Sequence, residues 1–413
     1  MSGRRRVVVT GVGAITPLAL TAEETWQGLL EGRSGIGPIT QFDASPFPSR
    51  IAGEVKGFDS RQYIPFKEAR RMARASQFAV AAAQEALASA GLEPPLGAGA
   101  GVLIGTSVGG LEWAFAQART LWEKGLARVS PFGITASLAN MPAHHVSRWA
   151  QALGPISTVS TACATGTQAV GEAAEFIRRG AAEVVIAGGV EGFVHEVSVG
   201  GFCAMRALST RNDEPERASR PFDAHRDGFV LSEGCGMLVL ESLEHARARG
   251  ARILAEVLGH ASSSDGFHVA QPDPEGRGAM RAMAWALDDA GIGPEGVDYI
   301  NAHGTGTPLN DVIETRAIKG IFGEHAYQVL ISSTKSMIGH AMGGAGAIEA
   351  VACVLTLRDQ VIHPTANLEE PDPECDLDYV PGEARRTDVR VVLSNSFGLG
   401  GQNACLVLGR GEG

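Results

Sequence analysis

The chain has 413 residues, 44% hydrophobic and 20% charged, with 35 Lys plus Arg against 46 Asp plus Glu and a net charge of −11. That length calls for a very large domain or two fused halves around a sizeable interior, and the negative balance excludes a protein built to coat nucleic acid. No run approaches the ~18 unbroken apolar residues of a membrane span, so a cytosolic protein with no membrane partner is expected.

Arg4, Arg5 and Arg6 precede an apolar run that superficially resembles a signal peptide. Thr10, Gly11, Gly13, Thr16 and Pro17 interrupt that run, and it reads as a buried first strand with its turn, so the mature chain is expected to start near residue 1. Strands are then predicted at 7–10, 101–105, 183–187 and 237–240, and again at 253–258, 297–302, 329–333, 391–393 and 404–408. Ala-rich amphipathic stretches predict helices over 69–90, 165–179, 278–290 and 344–357. This alternation is an α/β pattern. The comparable content of the two parts suggests a structural duplication without an obvious residue-level repeat. The boundary is placed near Ala251, giving halves 1–251 and 252–413 that pack as one body with the active site at their junction.

Six cysteines, at 163, 203, 235, 353, 375 and 405, are scattered and form no C-x-x-C pair, so neither a disulfide framework nor a zinc site is read. One has chemistry-bearing neighbours. Val159 to Gln168 runs from an apolar strand end through small residues into a helix, presenting Cys163 where free N–H groups and the helix dipole favour thiolate. An isolated cysteine is more often a small buried hydrophobe, but two further motifs change the weighing. Asn301-Ala302-His303-Gly304-Thr305-Gly306-Thr307 follows an apolar strand, where open α/β sheets bind ligands. Ser333 to Gly346 supplies Lys335 and His340 at a similar point, ahead of an Ala-rich helix containing Glu349.

Together these motifs resemble the β-ketoacyl-[acyl carrier protein] synthases of the KAS I/II type, and closest the KAS II pattern, from Val7 to Leu408. The resemblance includes 206–212, 219–223, 226–230 and the segment Asn395-Ser396-Phe397-Gly398-Leu399-Gly400-Gly401. It implies a thiolase-like α/β fold, with two duplicated βαβαβαββ halves in a five-layered α-β-α-β-α body, and a homodimer. It also implies decarboxylative Claisen condensation of acyl- and malonyl-[acyl carrier protein] in fatty acid elongation. Cys163 would carry the acyl group, His303 and His340 would stabilise the enolate, and Lys335 would order the site through Glu349. The N–H groups of Cys163 and Leu399 would form the oxyanion hole.

By the same resemblance Thr305 and Thr307 hold phosphopantetheine, which arrives on the carrier protein, and Phe397, Val108, Phe202 and His268 complete the substrate site. No cofactor is required. A structural monovalent cation is implied near Asn301, Glu314, Glu349, Ser394 and Asn403. For the acidic carrier protein, Lys67, Arg70, Arg71 and Arg74 fall at helical spacing, with Lys124, Arg128 and Arg206 as further candidates.

The sequence departs from the family in three places. Leu399 stands where KAS II members have a gating Phe, Val108 where the pocket floor is often Ile, and Ala270 where many carry a pantetheine-contacting Thr. Looser gating and broader chain acceptance are expected. Thr16 in place of a third glycine argues against a Rossmann dehydrogenase. His340 argues against a degradative thiolase and against the KAS III type, and Cys163 against a non-catalytic chain-length subunit. A polyketide ketosynthase remains open.

Overall fold

The structure is a computed structural model and describes residues 4–411. Strand β1 (Val7–Ile15) is buried over its whole length, as a run of apolar and small residues must be when it has neighbours on both sides. The first half continues with β2 (Ala100–Gly105), β3 (Ile156–Ser157), β4 (Val184–Glu191) and β5 (Gly234–Ser242). The second half contributes β6 (Ala255–Ser264), β7 (Tyr299–Asn301), β8 (Leu330–Ser332), β9 (Val391–Gly398) and β10 (Gln402–Arg410). The principal helices are α1 (Arg74–Ala90), α2 (Leu111–Lys124), α3 (Met141–Ala150), α4 (Thr165–Arg178), α5 (Glu196–Ala204), α6 (Arg277–Ala290), α7 (Pro308–Phe322) and α8 (Ala345–Asp359).

In space the strands run β8-β7-β9-β10-β6-β1-β5-β4-β2-β3. Numbered within its own half, each set of five therefore has the order 3-2-4-5-1. The two sheets join through an antiparallel pairing of Val7–Val9 with Ala255–Val257. Helix α1 covers one outer face, against β1 and β5, and α6 covers the other, against β6 and β10. Helices α4 and α8 lie between the sheets and touch strands of both, which completes the five layers of a thiolase-like body.

A helix enclosed on all sides needs apolar residues all round, and α8 is buried without interruption from Ala345 to Leu357. Where α4 and α8 cross, a Cβ on Gly166 would fall 2.5 Å from the Ala347 nitrogen, and one on Gly346 would fall 2.2 Å from Thr167 Oγ1. Only glycine permits that approach.

The crossing also exposes a repeat that the sequence hides. A 3-10 turn precedes each central helix, Ala162–Ala164 before α4 and Met342–Gly344 before α8. Each turn begins on a left-handed residue that is not glycine, Ala162 at φ 49° and Met342 at φ 46°. Counted from the two helix starts, Cys163 matches Gly343 and Gly166 matches Gly346.

The helix predicted over 69–90 is two elements. A short helix spans Phe66–Ala69, and α1 starts at Arg74 because Ala73 is extended, at φ −64° and ψ 155°. The Arg74 guanidinium turns inward to bind both oxygens of fully buried Glu233, at 2.7 Å each.

Candidate active site

A cavity of about 490 Å³ opens where the halves meet. Cys163 and Phe202 enter from the first half, and His303, Thr305, Thr307, His340, Phe397 and Leu399 from the second. Arg206, His268 and Ala270 also line it, so the structure brings together most of the residues picked out in the sequence.

Cys163 follows β3 and lies in the 3-10 turn ahead of α4. The left-handed φ of Ala162 makes this a tight elbow, the backbone that holds a nucleophile clear of its own helix. Ser107 Oγ donates to the Ala162 carbonyl at 2.9 Å and fixes the elbow from outside. The expectation of a resting thiolate is corrected: burial pushes the Cys163 thiol up to about 11, against the pull of the Leu399 N–H, of Lys335 and of its own N–H. The sulfur is almost out of water, and the cost of charge there outweighs the helix N-terminus. Those same two N–H groups, of Cys163 and Leu399, converge on the sulfur, which is the geometry of an oxyanion hole for a carbonyl bonded to it.

His303 and His340 stand nearly perpendicular, with ring centroids 5.4 Å apart. The Met342 N–H donates to His340 Nδ1 at 3.2 Å. That bond leaves the proton on Nε2, which has no partner among the described residues. A buried donor without an acceptor is costly, and here it is aimed at the cavity. Burial holds both imidazoles well below the usual histidine range, reinforced by Lys335 and, for His303, by His340. Both are neutral donors at pH 7. Phe397 packs on His303 and Phe229 on His340, at 5.7 and 5.4 Å between centroids.

Carboxylates hold these loops from behind. Glu314 accepts from the N–H groups of His303 and Gly304, both at 2.8 Å. Glu191, which sequence reasoning missed, accepts from Thr106 Oγ1 at 3.0 Å and from the N–H groups of Ser107 at 2.9 Å and Gly343 at 3.3 Å. It ties the loop after β2 to the turn that precedes α8, and burial raises its carboxyl to about 7. A lone Glu ending an apolar strand was the available signal.

Several expected residues stand elsewhere. Lys335 does not line the cavity; it is enclosed beneath it in an ion pair with Glu349, so it is a positioning residue. Val108 lines a second, apolar cavity of about 260 Å³, and Phe202, Met205 and Met342 separate that space from the first. Thr305 and Thr307 hydroxyls bond each other at 3.0 Å, and Thr307 also caps α7.

Asn403 leaves the proposed cation set, because it pairs with Phe397, three residues along β9 from Ser394, and lines the cavity, with its amide nitrogen held by Asp265 Oδ1 at 2.8 Å. Of the other residues implied for the cation, Asn301, Glu349 and Ser394 each have a buried oxygen, Oδ1, Oε2 and Oγ, without a partner among the described residues. Asn301 and Ser394 are register partners on β7 and β9, and α8 packs on β9, so these oxygens share one layer. Hard oxygen donors left unpaired fit a small cation.

Of the basic residues, Arg206 alone reaches the cavity wall. Lys67, Arg70, Arg71, Lys124 and Arg128 are exposed, with Arg71 over the Phe132 ring at 4.3 Å. Arg74 is removed from the patch by its inward pairing with Glu233.

Comparison with known proteins agrees with this geometry. Residues 4–246 match the family described as Beta-ketoacyl synthase, N-terminal domain, and residues 254–369 the Beta-ketoacyl synthase, C-terminal domain. The chain is 54% identical over 405 residues to 3-oxoacyl-[acyl-carrier-protein] synthase 2 of Synechocystis, covering 98% of this chain and 97% of that one. It is 49% identical over 409 residues to the protein of the same name from Coxiella burnetii, covering 98% and 99%. Among solved structures, a β-ketoacyl synthase from Burkholderia phymatum superposes with a TM-score of 0.92 at 39% identity, covering 99% of this chain and all of that one. A type II polyketide ketosynthase solved with its acyl-carrier protein gives 0.90 at 36% identity, with the same coverage. The chain belongs to the β-ketoacyl synthase family.

Proposed function

We propose that this chain condenses an acyl group with malonyl-[acyl carrier protein] to give 3-oxoacyl-[acyl carrier protein] and carbon dioxide, in fatty acid elongation. The observation that carries the reading is a buried thiol facing two backbone N–H groups and two neutral imidazoles, one with its Nε2 proton unpartnered.

In the first step the Cys163 sulfur displaces the carrier thiol from the acyl carbonyl, whose oxygen sits between the N–H groups of Cys163 and Leu399. One thioester and one thiol are exchanged for another pair, so no net proton is needed. Malonyl-carrier then loses carbon dioxide, and the electron pair of the broken C–C bond becomes an enolate whose oxygen is held by His303 and His340. The enolate carbon attacks the Cys163 thioester, the sulfur leaves, and one proton from water restores the thiol. Burial, reinforced by Lys335, keeps the two imidazoles neutral. Thr305 and Thr307 face the pantetheine amides, and Phe397 and His268 line its path. No cofactor beyond the carrier's pantetheine takes part. A monovalent cation on Asn301, Glu349 and Ser394 would supply fixed positive charge beside the Lys335 pair, with Glu314 and Asn395 behind it.

Arg206 at the mouth, with the exposed cations Lys67, Arg70, Arg71, Lys124 and Arg128, forms the docking surface for the acidic carrier. Two copies of the chain pair through β3. Its outer edge is open and Ile156 is exposed, whereas at the other end of the sheet Ile331 N–H is satisfied by the Asp378 carbonyl. The protein works in the cytoplasm; among the described residues no helix is long and apolar enough to cross a membrane.

The test is intact mass after incubation with acyl-carrier protein, followed by malonyl-carrier. An adduct on Cys163 and a β-ketoacyl product, both lost in Cys163→Ala, support the reading. No adduct at any acyl length overturns it. Acceptance of poly-β-ketone chains but not saturated acyl chains would move the enzyme to polyketide synthesis.

A further inference from the structure

The far end of the sheet carries a third cavity, with a different chemistry. Strand β10 leaves the catalytic cavity at Asn403 and ends at Arg410, roughly 23 Å away at the usual rise of a strand. There Arg410 and Gly411 meet the end of α8 and the segment 250–254 that joins the two halves, and together they border an open cavity of about 670 Å³. Four arginines line it, Arg247, Arg252, Arg358 and Arg410, and no Asp or Glu does. In a chain of net charge −11 with 46 acidic residues, such a lining is a local reversal of sign, which attracts anions.

The guanidiniums are oriented from outside the cavity. Arg358 pairs with Glu23 at 2.8 Å and Asp359 at 2.6 Å. Arg410 Nη2 is fixed by Asp388 and by Gln360 Oε1, and its Nη1 has no bond among the described residues. Arg252 is exposed and has neither a hydrogen bond nor an ion pair among the described residues. Two planar forks thus present unused donors to one space, the arrangement that suits phosphoryl oxygens. The C-terminal carbonyls of α8 would repel an anion, but Gln360 covers them: its N–H bonds the Thr356 oxygen at 2.8 Å and its side-chain amide the Leu357 oxygen at 2.7 Å. Ile253, Leu254 and Leu357 add apolar wall, and the volume exceeds what one phosphate fills.

We propose that this cavity binds a small molecule through a diphosphate group, held by Arg252 and Arg410. Free diphosphate and a nucleoside diphosphate share that chemistry, and the nucleoside of the second would lie against Ile253, Leu254 and Leu357. No residue of this site lines the catalytic cavity, so its occupant leaves Cys163 open.

The experiment is equilibrium dialysis of the full chain, without divalent cations, against inorganic pyrophosphate, ADP and adenosine. Wild type is compared with Arg252→Ala, Arg252→Glu and Lys67→Glu, the last a charge reversal outside the cavity, and melting temperatures confirm that each variant is folded. Saturable binding of pyrophosphate or ADP, weakened at least about tenfold in both Arg252 variants and within about twofold of wild type in Lys67→Glu, supports the proposal. Tighter binding of ADP than of pyrophosphate supports it with a nucleotide as the source, and equal binding supports it with diphosphate alone. No binding of either probe, equal binding by wild type and Arg252→Glu, or adenosine binding as tight as that of ADP overturns it.

Discussion

The neutral state of the two histidines can be tested through the acid limb of decarboxylation. Burial and the nearby Lys335 hold His303 and His340 well below the ordinary value, so the folded enzyme keeps both neutral until the pH falls through those lowered values. The Met342 N–H on Nδ1 sets the same state for His340 through geometry. Two imidazoles at the ordinary ~6.5 would each be about a quarter neutral at pH 6, making a step that needs both roughly sixteenfold slower there than at pH 8. The expected result is a rate that changes less than about twofold over that interval. The assay is single-turnover release of carbon dioxide from malonyl-carrier by enzyme already acylated on Cys163, which removes the first step from the measurement. In His340→Ala the loss of one aimed donor should slow this release by about 10²–10³, while acylation of Cys163, which uses the N–H groups of Cys163 and Leu399, stays within about threefold. A sixteenfold fall with its midpoint near pH 6.5, or equal slowing of acylation and decarboxylation by His340→Ala, would refute the reasoning.

Three other perturbations separate structural from catalytic roles. Arg74→Met strands buried Glu233 and should cost about 3 kcal/mol; at roughly 2.1 cal/mol/K of unfolding entropy per residue over 413 residues this lowers Tm by about 3–4 °C. Calorimetry should show most of that loss recovered in Arg74→Met/Glu233→Leu, whereas Arg70→Glu/Arg71→Glu should leave Tm unchanged and weaken carrier-dependent turnover. Gly166→Ala places its Cβ 2.5 Å from backbone and should cost about 1–3 kcal/mol or more, read as a lower urea midpoint together with lost condensation. Val108→Ile adds one methylene to the second cavity and should lower kcat/KM for the longest accepted chain by roughly fourfold, and equal length profiles would refute its place in that wall.

What could be read from the sequence was whatever a local pattern determines. The strand-turn-helix around Cys163 and the glycine-flanked histidines at 303 and 340 are short-range features, and the structure brings all three to one cavity. The protonation of Cys163 was misread because burial comes from residues far away in sequence, while a helix N-terminus is visible locally. Arg74 has the spacing of its basic neighbours, and only its partner 159 residues away distinguishes it. Val108 and Phe202 sort into their cavities through the packing of α5, which no periodicity encodes. Asn403 stands apart from the other residues implied for the cation because the pairing of β9 with β10 sets it opposite Phe397 and not Ser394, a register that no local pattern shows. The internal repeat escaped notice because its matching positions share a backbone conformation and not a residue type.

That matching has a stoichiometric consequence. The chain has two architecturally equivalent elbows, yet one carries sulfur and the other, at Gly343, carries only hydrogen, and a Cβ there would meet the Ser107 nitrogen at 2.4 Å. The approximate twofold axis of the body is thus broken in its chemistry. On the condensing reading each chain can be loaded with a single acyl group, always on the same side of that axis, because the Gly343 side is closed by Ser107 and Glu191. Neither half carries both reagents: the first has a nucleophile without proton donors, and the second has donors with nothing to attack.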